Sequence, residues 1–233
     1  MLRGDEVGAL LGAFLAERGG AGTFATTIVS SSLLGKIAAR HGIDYRETLT
    51  GFKWLTKVED LAYAYEEALG YCVDPGSVRD KDGVSACLLM AELAATLKSG
   101  GRTLTDLLDD LAIEHGVHAT DSFSVRVPDL SLIDTVMDRL RQNPPHEVAG
   151  LAVSRAEDLA EGTESLPPTD GLRYYLEDDS RIIVRPSGTE PKLKVYLESI
   201  EPVAKRKHLG RSREEAGRRL ALIRAAMTEL TAV

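Results

Sequence analysis

Between the apolar run Ile182-Ile183-Val184 and the alternating run Leu193-Lys194-Val195-Tyr196-Leu197 stands Arg185-Pro186-Ser187-Gly188-Thr189-Glu190-Pro191. A turn needs only Gly, Pro, Asn or Asp to shape its backbone. The arginine and the two hydroxyls are surplus to that need. A phosphate dianion is well held by a planar guanidinium fork, by hydroxyl donors and by backbone N–H groups bared in a turn. Arg185 can supply the fork, Ser187 and Thr189 the hydroxyls. Gly188, without a Cβ, lets the backbone approach. The competing reading is a plain hairpin turn with Arg185 solvated. No G-x-x-x-x-G-K-[ST] occurs, so this is not a nucleotide P-loop.

Further chemistry-bearing stretches lie in the first half. Thr50-Gly51-Phe52-Lys53-Trp54 sets a lysine and the single tryptophan where a strand is predicted to end. Tyr65-Glu66-Glu67-Ala68-Leu69-Gly70-Tyr71 sets paired carboxylates where a strand meets a glycine turn, and such carboxylates can accept hydrogen bonds from sugar hydroxyls. Arg79-Asp80-Lys81-Asp82-Gly83 looks like half a calcium loop but lacks the later bidentate glutamate, so an aspartate capping the next helix is the better account. In α/β sheets ligands gather at the carboxyl ends of strands, and all three stretches are predicted at or just after such ends. Each has a purely structural alternative: packing for Trp54, solvation for Lys53, a charged strand end for the glutamates.

Positioning these residues requires a scaffold, and its pattern is readable. Val7, Leu10, Leu11, Phe14 and Leu15 have helical spacing. Phe24 to Val29 reads as a strand running into Ser30-Ser31-Ser32, a helix start. The helix bearing Leu33, Leu34, Ile37 and Ala38 stops at His41-Gly42. Strands are predicted over 45–52 and 61–65, a helix from Gly83 to about Lys98, and another opened by a Thr103/Asp106 capping box. This alternation implies an α/β unit. Residues 116–121 read as a boundary. Beyond it, strands are predicted over 122–127, 148–153, 172–176, 181–185 and 192–197. Helices capped by Ser131/Asp134 and by Ser212/Glu215 flank them, with 157–170 a loop. Adjacent strands joined by short turns favour an antiparallel sheet with helices on one face, an α+β unit.

Composition narrows the class. Among 233 residues, 43% are hydrophobic, which supports genuine cores, and the net charge of −8 disfavours nucleic acid and acidic membranes as partners. No apolar run approaches membrane-span length, and no signal-peptide pattern opens the chain. Cys72 and Cys87 have no C-x-x-C spacing, which suits a reducing compartment and gives no zinc signal. A cytoplasmic location is expected. The five histidines have no metal or triad spacing and read as structural. The basic run 205–213 lacks aromatics and reads as a solvated loop.

Gly4-Asp5-Glu6-Val7-Gly8, Glu47-Thr48-Leu49-Thr50-Gly51-Phe52-Lys53-Trp54, Glu66-Glu67-Ala68-Leu69-Gly70-Tyr71, Arg79-Asp80-Lys81-Asp82-Gly83 and Arg185-Pro186-Ser187-Gly188-Thr189-Glu190-Pro191 follow one another as in the α-D-phosphohexomutase family. The chain resembles its phosphoglucomutase/phosphomannomutase branch, which also contains phosphopentomutases, across essentially its whole length. The resemblance implies the third and fourth of four domains: an α/β mixed-sheet, sugar-reading domain over residues 1–118, and an α+β domain over 119–233 resembling the TATA-binding-protein-like C-terminal domain, with the phosphate loop. It implies an intramolecular phosphotransferase of the isomerase class that interconverts sugar 1- and 6-phosphates through a sugar bisphosphate intermediate and activator, using a phosphoserine and Mg2+. Neither T-x-S-H-N-P nor D-x-D-x-D-R occurs here. The expectation is therefore a truncated product or a mis-started reading frame that is inactive alone and has the missing N-terminal domains as partner. By the resemblance Arg185, Ser187, Gly188 and Thr189 bind phosphate, and Glu66 reads the sugar with Glu67 its rival. Lys81 lies in the active site with a possible catalytic role, and Thr50, Gly51 and Lys53 flank the substrate. Ala68 stands where the family usually has serine, so one hydroxyl contact is absent. No metal ligand is expected in the chain. The alternatives are a phosphopentomutase parent or a stand-alone sugar-phosphate binding or regulatory module. Glucose, mannose and ribose phosphates are not distinguished.

Overall fold

A computed structural model describes residues 1–233. The chain divides into two compact units: residues 1–116 with 203–206, and residues 117–202 with 207–233. No helix is long and apolar enough to cross a membrane.

Unit 1 runs α1 (Gly4–Glu17), β1 (Thr23–Thr27), α2 (Leu33–His41), β2 (Asp44–Thr48), α3 (Phe52–Leu55), β3 (Leu61–Glu66), β4 (Gly70–Cys72), α4 (Gly83–Ser99) and α5 (Leu104–His115). Its sheet has the order β2-β1-β3-β4. β1 is parallel to β2 and β3, while β4 returns antiparallel to β3, so the sheet is mixed. Strand alternation divides the apolar residues. Phe24, Tyr63 and Tyr65 pack with α1, α2, α4 and α5. Ala25, Ala64 and Cys72 pack on the other face with Phe52 and Leu55 of α3. The predicted caps are present: Gly42 ends α2 at φ 67°, Asp82 accepts from Val84 and Ser85 N–H, and Thr103 with Asp106 forms the capping box of α5.

Gly4-Asp5-Glu6-Val7-Gly8 has a packing explanation. A Cβ on Gly4 would stand 1.9 Å from the Glu67 carbonyl oxygen, and one on Gly8 would stand 2.6 Å from the Tyr65 ring. The two glycines let α1 lie directly on β3 and its turn. Tyr63 and Tyr71 donate to the Gly8 and Gly4 carbonyls at 2.8 and 3.1 Å. Burial, reinforced by Asp5, pushes the Tyr65 hydroxyl well above its ordinary pKa, so it acts as a neutral donor.

Unit 2 contains β5 (Val117–Arg126), α6 (Ser131–Gln142), β6 (Glu147–Val148), β7 (Leu151–Asp158), β8 (Leu172–Leu176), β9 (Arg181–Pro186), β10 (Lys192–Glu201) and α7 (Leu209–Leu230). The antiparallel sheet order is β5-β10-β9-β8-β7-β6. Ile133, Val136, Met137 and Leu140 of α6, with Leu220, Ile223 and Met227 of α7, pack on one sheet face against Leu172, Ile182, Val184, Val195 and Leu197. Each such side chain contributes about 1.5–3 kcal/mol of burial. The opposite face carries Arg181, Arg185, Lys194 and Glu198.

Several expectations need correction. The strand predicted over 45–52 stops at Thr48, because Gly51 at φ 105° turns the chain and Phe52 starts a single helical turn. Lys53 and Trp54 therefore sit on that turn, not at a strand end. The boundary expected over 116–121 lies at its first residue: unit 2 begins at Val117, and 117–121 pair with β10 as part of β5. Their polar-apolar alternation, from Val117 to Asp121, is a strand signal diluted by histidine and threonine. At α6 the capping carboxylate is Asp129, which accepts from Ser131 N–H and Oγ–H at 2.9 Å. α7 starts at Leu209, so the basic run becomes a 3-10 turn and a first helical turn. Ser212 does not cap but donates to the Pro202 carbonyl. Strand β4 has only three residues, too few to show a period.

Candidate functional site

Unit 1 brings its candidate residues to one edge of the sheet. β1, β2 and β3 run parallel, so Thr27, Thr48 and Glu66 end together, and the loops after them gather there. Glu66 is half-buried at the last position of β3. Burial pushes its carboxyl up, Lys81 pulls it down, and Asp80 adds to the rise. Its side chain accepts no hydrogen bond from a named partner, so its oxygens remain available. Lys81 is exposed, with its ammonium 5.3 Å from the Phe52 ring and 3.7 Å from Asp80 Oδ1. Thr50 and Gly51 precede α3, and Lys53 on that turn lies 5.7 Å from the Trp54 ring.

The two glutamates have different duties. Glu67 Oε2 accepts from Ser30 Oγ at 3.2 Å and Thr27 Oγ1 at 3.4 Å, and its N–H donates to Ser30 Oγ at 3.1 Å. Burial pushes the Glu67 carboxyl up, while these hydrogen bonds oppose the rise. Asp5 continues the network by accepting from Ser31 N–H at 2.7 Å and Tyr65 Oη–H at 3.1 Å. Glu67 therefore ties the turn to the end of β1, and Glu66 is the carboxylate left facing outward. Thr27, Ser30 and Asp5 are site supports that sequence reading missed. Only the serine run was visible, and it reads as a helix start. Leu69, exposed at the tip of this turn, takes φ 66°, a conformation costly for a leucine.

Unit 2 builds a different kind of site. Ser187 N–H donates to the Lys192 carbonyl at 2.9 Å, Lys192 N–H to the Glu190 carbonyl at 2.8 Å, and Val127 N–H to the Pro191 carbonyl at 3.1 Å. These bonds frame the loop from both strands. Between them, the N–H groups of Gly188, Thr189 and Glu190 find no backbone carbonyl. Gly188 does not take a positive φ, and a Cβ there would meet nothing within 4 Å. Its lack of a side chain leaves open space rather than solving a backbone problem. Glu190 is drawn away from these donors, lying 2.5 Å from Lys192 Nζ and 3.2 Å from an Arg126 guanidinium nitrogen.

Arg185 is half-buried on β9, directly opposite Lys194 of β10. Neither cation has an ion-pair partner. Like charges facing each other across strands are unfavourable unless an anion lies between them. In the sequence Lys194 reads only as the polar half of an alternating strand. Its alternation with Leu193 and Val195, counted back from the loop, is the signal that places it. Farther along the same face, Glu198 takes Arg181 at 3.0 Å and His118 Nδ1 at 3.0 Å, all three buried, which gives His118 a structural role. No three His, Cys, Asp or Glu side chains gather to hold a metal ion.

The two units, one built on a mixed sheet and one on an antiparallel sheet, each match a domain of the phosphohexomutase class. Residues 3–114 match the family domain described as phosphoglucomutase/phosphomannomutase, alpha/beta/alpha domain III, and residues 124–209 match the phosphoglucomutase/phosphomannomutase C-terminal domain. The chain belongs to the phosphoglucomutase/phosphomannomutase family. It is 45% identical over 200 residues to a Haemophilus influenzae protein named "Probable phosphomannomutase", covering 85% of this chain and 41% of that one. It is 35% identical to a Staphylococcus aureus phosphoglucomutase, covering 73% of this chain and 34% of the relative. The chain thus spans well under half the length of these relatives. The fold also matches the open form of parafusin, a phosphoglucomutase from Paramecium, with TM-score 0.75 and 22% identity over 99% of this chain and 41% of that one.

Proposed function

We propose that this chain is the sugar- and phosphate-recognising part of an enzyme that interconverts sugar 1-phosphates and 6-phosphates. The observation that carries the reading is the Arg185–Glu190 loop: a guanidinium without an ion-pair partner beside three bare backbone N–H groups. Such an array holds a dianion with little reorganisation, because the donors have no backbone acceptor to give up. Ser187 and Thr189 add hydroxyl donors, and Lys194 adds a second cation. In unit 1, Glu66 accepts from sugar hydroxyls and Lys81 balances its charge, with Thr50, Gly51 and Lys53 as the neighbouring segment.

The chemical step needs a phosphoryl donor and a charge-neutralising metal ion. In this reading a phosphoserine and magnesium supply them, a sugar bisphosphate is the intermediate, and residues outside 1–233 provide the serine and metal ligands. The relatives' names favour glucose and mannose phosphates as substrates. The reading is tested by titrating the labelled chain with glucose 1-phosphate and mannose 1-phosphate while following its amides. Millimolar binding, about −4 kcal/mol, is expected to move Gly188, Thr189 and the Glu66–Leu69 turn. Inorganic phosphate is expected to move only the former. The chain alone is expected to interconvert neither sugar. Turnover by the purified chain, or no response of either region to a sugar phosphate, would overturn the reading.

A further inference from the structure

Arg79 is exposed, yet its guanidinium is committed: Nε–H donates to the Thr56 carbonyl at 2.8 Å, and Nη2 donates to the Val58 carbonyl at 2.9 Å. Both carbonyls lie just past α3, on the segment that begins with Thr50 and Gly51 and carries Lys53. Two residues beyond Arg79 is Lys81, whose ammonium returns to the Phe52 ring of the same segment. Asp82 anchors the far end of this loop, with its N–H donating to the Tyr71 carbonyl at 2.8 Å and its carboxylate capping α4. The near end is fixed by Cys72 Sγ–H on the Val78 carbonyl at 3.4 Å.

We infer that Arg79 is a positioning residue: a strut that locks the Lys81 loop to the Thr50–Val58 segment and so fixes the ammonium over the Phe52 ring. Its role in sugar recognition rests on the function proposed above. The strut itself is a property of the fold. Arginine suits the task because two carbonyls two residues apart need two N–H donors on one rigid planar edge. A lysine ammonium offers a single point on a flexible stem. Lys81 needs such a strut because it is exposed and has only Asp80 and an aromatic face as close neighbours.

The test reads the carboxyl carbon of Glu66 by NMR in the labelled 233-residue chain. Lys81 lowers the Glu66 titration midpoint. Arg79→Lys and Arg79→Ala should both raise it, because a released Lys81 loop carries its cation away. Lys81→Met should raise it too. Adding Arg79→Ala to Lys81→Met should raise it no further, as expected when one residue acts through the other. A loss of general stability would not produce that pattern. If Arg79→Ala does not fold, Arg79→Lys, which keeps the stem and the charge, carries the test. An unchanged Glu66 midpoint in Arg79→Lys would overturn the strut, as would additive shifts in the double variant. Where the chain binds glucose 1-phosphate, the variants with a raised midpoint should bind it roughly fivefold more weakly. A raised midpoint in a chain that binds no sugar phosphate would uphold the strut and sink the sugar-reading role.

Discussion

The Arg185 loop and the Glu66 edge differ in how they are built. The Arg185 loop is contiguous: its guanidinium, hydroxyls and bare N–H groups fall within Arg185 to Glu190, and two strands frame it without filling it. The Glu66 edge is assembled. Glu66 stands outward because Glu67 is held by Ser30 and Thr27, because Asp5 holds Ser31, and because Gly4 lets α1 press against the Glu67 carbonyl. A contiguous nest can tolerate change around it. An assembled edge transmits any disturbance of its supports to the ligand-facing residue.

The sharpest way to break this contrast uses two glycines. Gly4→Ala places a methyl 1.9 Å from a backbone oxygen that cannot rotate away, and should destabilise unit 1 by about 3 kcal/mol in denaturant unfolding. Gly188→Ala adds its methyl to open space and should change stability by no more than about 0.5 kcal/mol, while weakening phosphate binding. Equal stability losses would erase the distinction between the sites.

Next in size is Glu66→Gln in a longer enzyme that has the donor serine. Losing a charged acceptor for sugar hydroxyls should cost about 1.5–3 kcal/mol of transition-state binding, visible in kcat/KM. The unfolding midpoint should hold, because Glu66 supports nothing else. If Glu67→Gln, rather than Glu66→Gln, lowers kcat/KM without lowering stability, the two duties are reversed.

Lys194→Ala should weaken phosphate binding by about 1 kcal/mol, roughly fivefold, measured by amide titration. No change would leave Arg185 as the nest's only side-chain cation.

The smallest effect is a slope. The carboxyl of Glu67 has a raised folded-state pKa, so the folded chain holds its proton more tightly than the unfolded chain. Its contribution to stability is therefore full below the unfolded value and falls as pH rises through the folded one. Glu67→Gln should flatten the unfolding free energy against pH above about 4.3, the unfolded glutamate value. A slope identical to the unmodified chain would place Glu67 in water, not in the network.

What the sequence made legible follows the same contrast. The Arg185 loop was readable because its donors are neighbours in the chain. The Thr103/Asp106 box and the Gly42 stop were readable because capping is local. The supports of Glu66 were not. Thr27 and Ser30 lie far from Glu67 in sequence and meet it through parallel pairing of β1 with β3, while the packing of α1 brings Asp5 to Ser31 and Tyr65. β5 was read short because His118 and Thr120 dilute its period, although β10 pairs with all ten of its residues. The strand expected over 45–52 overruns into Phe52, the first residue of α3, because Phe52 favours extended backbone and only the turn at Gly51 overrides that preference.

The central claim is that the Arg185 loop is a preformed anion nest on this chain. Inorganic phosphate titrated into the labelled 233-residue protein tests it directly, with the amides of Gly188, Thr189 and Glu190 as reporters. The account predicts saturating shifts with a millimolar Kd that weaken as salt rises. They should be lost in Arg185→Ala and little restored in Arg185→Lys, because an ammonium cannot fork. Amides that stay still, or that shift equally in Arg185→Ala, would contradict it and leave the loop a turn between two strands.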